Sequence, residues 1–88
     1  MTNEEFWELE ERYPMLCSIS SDCSTMTFKI LSDMTEYILI TDDAYAKEQF
    51  SVDFRGSKDD LRRYLQVAMI PEHSALSLIR VLTENDRN

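Results

Sequence analysis

The stretch Glu36-Tyr37-Ile38-Leu39-Ile40-Thr41 decides how the rest of the chain can be arranged. It is short and apolar, rich in β-branched and aromatic residues, and has no Gly or Pro inside, which predicts a strand. Side chains alternate along a strand, so Ile38 and Ile40 point one way and Tyr37 and Leu39 the other. A strand apolar on both faces belongs in the middle of a sheet. The candidate neighbours are apolar on one face only. In residues 25–31, Met26, Phe28 and Ile30 alternate with Thr25, Thr27 and Lys29. In residues 49–55, Phe50, Val52 and Phe54 alternate with Ser51, Asp53 and Arg55. An earlier strand over residues 15–20 puts Met15, Cys17 and Ile19 on one face. The polar stretches 21–24 and 32–35 read as turns. Residues 42–48 read equally as a loop, as a helical turn capped by Asp42, or as a continuation of the strand before them.

Three helices complete the chain. Thr2-Asn3-Glu4-Glu5 has the spacing of a capping box and predicts a helix over residues 3–12, stopped by Pro14. Phe6, Leu9 and Tyr13 form its apolar face, Glu4, Glu8 and Glu11 its opposite one, and Trp7 stands at the boundary, about 100° from Phe6. Gly56, the only glycine, is expected at a positive-φ turn before a helix over residues 58–69. Ser57 would cap that helix, with Leu61, Tyr64, Leu65, Ala68 and Met69 inward. Pro71 suits the first position of a third helix whose inward residues are Ala75, Leu76, Ile79 and Leu82. The order α-β-β-β-β-α-α with short turns predicts an α+β two-layer domain spanning residues 1–88, built on a four-stranded antiparallel meander. The two C-terminal helices would cover a face made by Met26/Phe28/Ile30, Ile38/Ile40 and Phe50/Val52/Phe54. The first helix would share that layer, lie over an edge, or cover Tyr37 and Leu39.

The net charge is −8 over 88 residues, and it is unevenly spread. Residues 1–53 carry twelve acids against three bases, whereas residues 54–88 carry five acids against six bases. An acidic N-terminal part with no basic stripe argues against direct binding of nucleic acid and for a protein partner with a basic surface. No apolar run approaches the length of a membrane span. The acidic start Met1-Thr2-Asn3-Glu4-Glu5 is unlike a secretory signal, and two cysteines without such a signal read as reduced thiols in a cytoplasm.

Several chemistries lack their residues. A single glycine leaves no phosphate cradle of the P-loop or dinucleotide type. One His and two Cys do not build a zinc site of the usual kinds, and the spacing from Cys17 to Cys23 is not a zinc spacing. Asp42-Asp43 lacks the alternating ligands of a calcium loop, and the Asp59/Asp60 pair is explained by its place at a helix start. Cys17 lies on the alternation of core residues, so a Cys17–His73 nucleophile pair is not expected. No catalytic residue, cofactor or metal is assigned, and the chain is read as not an enzyme.

In size, acidity and lack of a catalytic constellation, the chain resembles the small inhibitors made by phages and mobile elements, anti-CRISPR and DNA-mimic proteins among them. That resemblance implies a counter-defence inhibitor of a nuclease or nucleic-acid-binding effector, its carboxylates standing where phosphates normally bind. The candidate partner-binding residues are Glu4, Glu8, Glu11 and Trp7 on the first helix, Asp42 and Asp43, and an apolar pair, Tyr37 and Leu39, expected on the outer sheet face. An immunity protein against a nuclease toxin would use the same physics. A small structural subunit or homodimer, joined through the sheet face or the third helix, is the alternative of a different class.

Overall fold

The computed structural model describes residues 1–20 and 25–85. The expected turn at 21–24, Cys23 within it, and the expected fraying after residue 85 lie outside the described residues. The element order is α1 (Asn3–Arg12), β1 (Met15–Ser20), β2 (Met26–Ser32), β3 (Tyr37–Asp43), β4 (Phe50–Gly56), α2 (Lys58–Val67) and α3 (Glu72–Asn85). The four strands form one antiparallel sheet in the order β1-β2-β3-β4. The class is α+β, as the alternating strands and the helix signals require. β3 is central, and Tyr37, Ile38, Leu39 and Ile40 are all buried. The strand continues through Asp43, so residues 42–43 extend it before the chain turns at 44–49.

The sheet is covered on both faces. Phe28, Ile30, Tyr37 and Leu39 pack with Leu61 and Leu65 of α2 and Leu78 and Leu82 of α3. Leu31, Ile38, Ile40 and Phe50 pack with Phe6 and Leu9 of α1 and with Tyr13. The first helix therefore makes a layer of its own over Ile38 and Ile40, and the C-terminal helices cover Tyr37 and Leu39. This reverses the expected orientation of β3. Phe28 and Ile30 stand opposite Thr41 and Leu39, and directly paired residues share a face. A pattern apolar on both faces cannot set its own phase; the four residues between Ser32 and Tyr37 set it.

Two bulges redirect the edge strands. In β4, Val52 pairs with Ile40 and Phe54 with Leu39, so Asp53 is an extra residue. One inserted residue flips every later side chain to the other face. Phe50 thus belongs to the α1 core, while Phe54 packs against the α2/α3 core and stacks on Tyr64 at 5.3 Å. Val52, expected inward, is 46% exposed. In β1, Leu16 is the extra residue, and Met15 falls opposite Leu31, away from Cys17 and Ile19.

The helix signals hold at the N-termini. Thr2 and Glu5 form the full capping box, and Ser57 accepts the Asp60 amide N–H at 3.2 Å. The later boundaries differ. α2 ends at Val67, and Ala68 is extended with ψ 152°, since the chain must leave helical geometry before Pro71. Met69 is consequently solvent-exposed rather than inward. Pro71 lies before α3, its carbonyl accepting the Ala75 N–H at 3.0 Å. Leu78 takes the inward place expected for Leu76, and residues two apart do not share a helix face. Gly56 has no positive φ. A Cβ there would stand 3.0 Å from Cζ of Phe54, so close approach of that ring is what the glycine permits.

Candidate functional site

The roll of α1 is fixed by what it buries. The Phe6 ring stacks on Phe50 with centroids 4.3 Å apart and planes at 4°. Just past the helix end, Tyr13 accepts a hydrogen bond from Arg55 Nη2 at 3.2 Å, and Arg55 Nε donates to Glu36 at 2.6 Å. With Phe6 and Tyr13 held inward, Glu4, Glu8 and Glu11 all face solvent. Trp7, placed by the sequence at the boundary, is 67% exposed. It lines an open concavity of about 320 Å³ with Glu10 and Glu11.

Most carboxylates in the described residues have a partner within the chain. Glu5 serves the capping box, Asp33 the β2–β3 turn, and Glu36 holds Arg55. Glu48 pairs with the terminal ammonium at 3.1 Å, and Asp53 accepts from Thr41. Asp59 and Asp60 face Arg62 and Arg63 one turn on, and Glu84 pairs with Arg80. Among the described residues, the carboxylates with neither ion pair nor hydrogen bond are Glu4, Glu8, Glu10 and Glu11 on α1, and Glu72 on α3. The Glu8–Arg12 pair that the spacing allows is not formed; the Arg12 guanidinium lies 6.0 Å from the Tyr13 ring centroid instead.

The structure does not gather all the expected site residues. Glu4, Trp7, Glu8 and Glu11 share one helix surface. Glu10, half-buried and three residues after Trp7, borders the indole on its other side, away from Glu8. Asp42 and Asp43 are committed elsewhere. Asp42 accepts from Gln49 Nε2 at 3.0 Å and lies 3.9 Å from Lys29 Nζ, and Asp43 accepts the Tyr45 N–H at 3.0 Å. Tyr37 and Leu39 are 2% and 0% exposed, so the apolar island expected on the outer sheet face does not exist. A second groove, of about 610 Å³, runs between α1 and β4, with Leu9 and Val52 among its apolar lining and Glu5, Glu8, Arg12 and Arg55 among its charges.

No family model, curated protein or solved structure matches the chain. Burial pushes the Cys17 thiol up, against a weaker opposite pull from the Ile30 backbone, which disfavours the reactive thiolate. His73 is exposed at the start of α3. Among the described residues, no three of His, Cys, Asp and Glu are grouped to hold a metal ion, and no helix is long and apolar enough to cross a membrane. The surface of α1 offers unpaired charge and one large exposed aromatic side chain, residue types that occur at protein recognition surfaces.

Proposed function

We propose that this protein is a non-enzymatic inhibitor that binds a basic groove of a nucleic-acid-handling protein through the outer face of α1. One observation supports this reading: four carboxylates without an internal partner sit on one short helix, beside an exposed tryptophan. Unpaired like charges one turn apart destabilise a helix by a few tenths of a kcal/mol per pair. A basic partner would relieve that repulsion. Carboxylates recurring along the helix would take the places of backbone phosphates in the partner's groove. The test is affinity capture from a lysate at low and high salt, with the parent and with the triple variant Glu4→Gln, Glu8→Gln, Glu11→Gln. The expected result is co-elution of a nuclease or nucleic-acid-binding effector with the parent at low salt. Affinity should fall by about 1–3 kcal/mol in the triple variant, mainly through the on-rate, with a flatter salt dependence. Equal capture by parent and variant at both salts would remove α1 from the site.

A second reading has its own observation. Val67 at the end of α2, Met69 in the connection after it and Leu76 on α3 are 81%, 103% and 59% exposed, and exposed apolar residues of this size suit a subunit contact. In that reading the chain is a small structural subunit or homodimer, joined through α3 and the connection that precedes it. Its association would be insensitive to salt and abolished by Met69→Asp, as sedimentation would show.

A further inference from the structure

The indole of Trp7 is 67% exposed on a helix whose roll is already fixed by Phe6. Among the described residues it stacks on no ring and belongs to neither core cluster. Its surroundings select what can rest on it. Glu10 and Glu11 line the same concavity, and Glu4 lies one turn before it on the helix. A flat aromatic face beside unpaired carboxylates is complementary to a planar cation that can stack and hydrogen-bond at once. We propose that this concavity receives an arginine side chain of the protein partner, its guanidinium plane on the indole and its N–H groups donated to Glu10 and Glu11. The proposal rests on the reading of α1 as the face that meets a basic protein, and names the partner residue that anchors it. A lysine ammonium would satisfy the carboxylates but gains less from the indole, because it is compact, strongly hydrated and not planar.

Trp7 is the only tryptophan in the chain, so its emission reports on this concavity alone. The probes are oligo-arginine and oligo-lysine peptides of equal length and charge, titrated at low ionic strength. Indole emission is followed in the parent, and calorimetry is applied to the parent and to Trp7→Leu. The substitution lies on the solvent face and leaves Phe6, Leu9 and Tyr13 in place, and an unchanged far-ultraviolet dichroism spectrum confirms the fold. The expected result is a saturable change in emission with oligo-arginine, binding about three- to tenfold tighter than oligo-lysine, and loss of that preference in Trp7→Leu. Equal affinity for both peptides with an unchanged indole overturns the arginine anchor and leaves the acidic face standing. A preference for arginine that survives Trp7→Leu also overturns the anchor. Failure of both peptides to bind overturns the anchor together with the acidic face.

Discussion

Met34 is the described non-glycine residue held at positive φ, 76°, in the turn between β2 and β3. Left-handed backbone costs a side-chain-bearing residue about 1–2 kcal/mol, partly offset for glycine by the extra freedom it loses on folding. Met34→Gly is therefore expected to stabilise the protein by about 0.5–1 kcal/mol, read as a higher denaturant midpoint. A lower midpoint would show that the methionine side chain contributes more than its backbone costs. The same turn carries a pH signature. Asp33 accepts from the Glu36 amide at 2.8 Å, the Thr35 hydroxyl at 2.7 Å and the Thr35 amide at 2.9 Å. These bonds, the Glu36 amide foremost, lower its carboxyl to about 2. The folded value lies below the unfolded one of about 3.9, so the contribution is present above pH 4 and lost as pH falls towards 2. The difference in denaturant midpoint between parent and Asp33→Asn should shrink across that window. A difference constant with pH would rule out this role of Asp33. At this scale the sequence was only partly legible. A polar turn could be read here from residue type, one residue early at 32–35 where the structure turns at 33–36, but no composition rule marks a methionine for left-handed backbone. The expected positive φ at Gly56 was wrong because the constraint there is a neighbouring ring.

The strands show where periodicity carries a fold and where it stops. Alternation identified all four, and their antiparallel order followed from the short turns. What alternation could not give was phase across a bulge. Phe50, Val52 and Phe54 have the spacing of one face, yet the extra residue Asp53 assigns Phe50 and Phe54 to opposite cores, while Val52, on the Phe50 side of an edge strand, is largely uncovered. Both edge strands are bulged, a feature that discourages further strand addition. Substitutions along these strands should separate accordingly. Phe28→Ala, at a residue 2% exposed, should cost about 3–5 kcal/mol, and Phe54→Ala, which is only half-buried, distinctly less. Val52→Thr should change stability by no more than about 0.5 kcal/mol, as surface substitutions do. A large loss at Val52 in a denaturant titration would show that α1 covers this side chain. Among the helices, the capping signals placed the N-termini, while Leu76 and Leu78 were equally apolar and only packing could choose between them.

Across the whole molecule, the uneven charge read from the sequence becomes a structural asymmetry. Among the described residues, internal partners absorb most acids, and those left over concentrate on α1. Of the candidate site, Glu4, Trp7, Glu8 and Glu11 were legible from helical spacing. Asp42, Asp43, Tyr37 and Leu39 were not, because side-chain partners and sheet phase are tertiary facts. No ligand set for a metal is gathered among the described residues, so addition of a chelator should leave the melting temperature unchanged; a drop of many degrees would point to a metal held elsewhere in the chain. The division of the core has a consequence in time. α1 is attached through Phe6, Leu9 and the adjoining Tyr13, whereas α2 and α3 share a larger cluster with the sheet. Elements with few buried contacts open before the global transition. Backbone amides of residues 6–12 should therefore exchange with deuterium sooner than those of β2 and β3. The helix that presents the acidic face then lifts away before the central strands open, and a bound partner would be registered as slowed exchange along it.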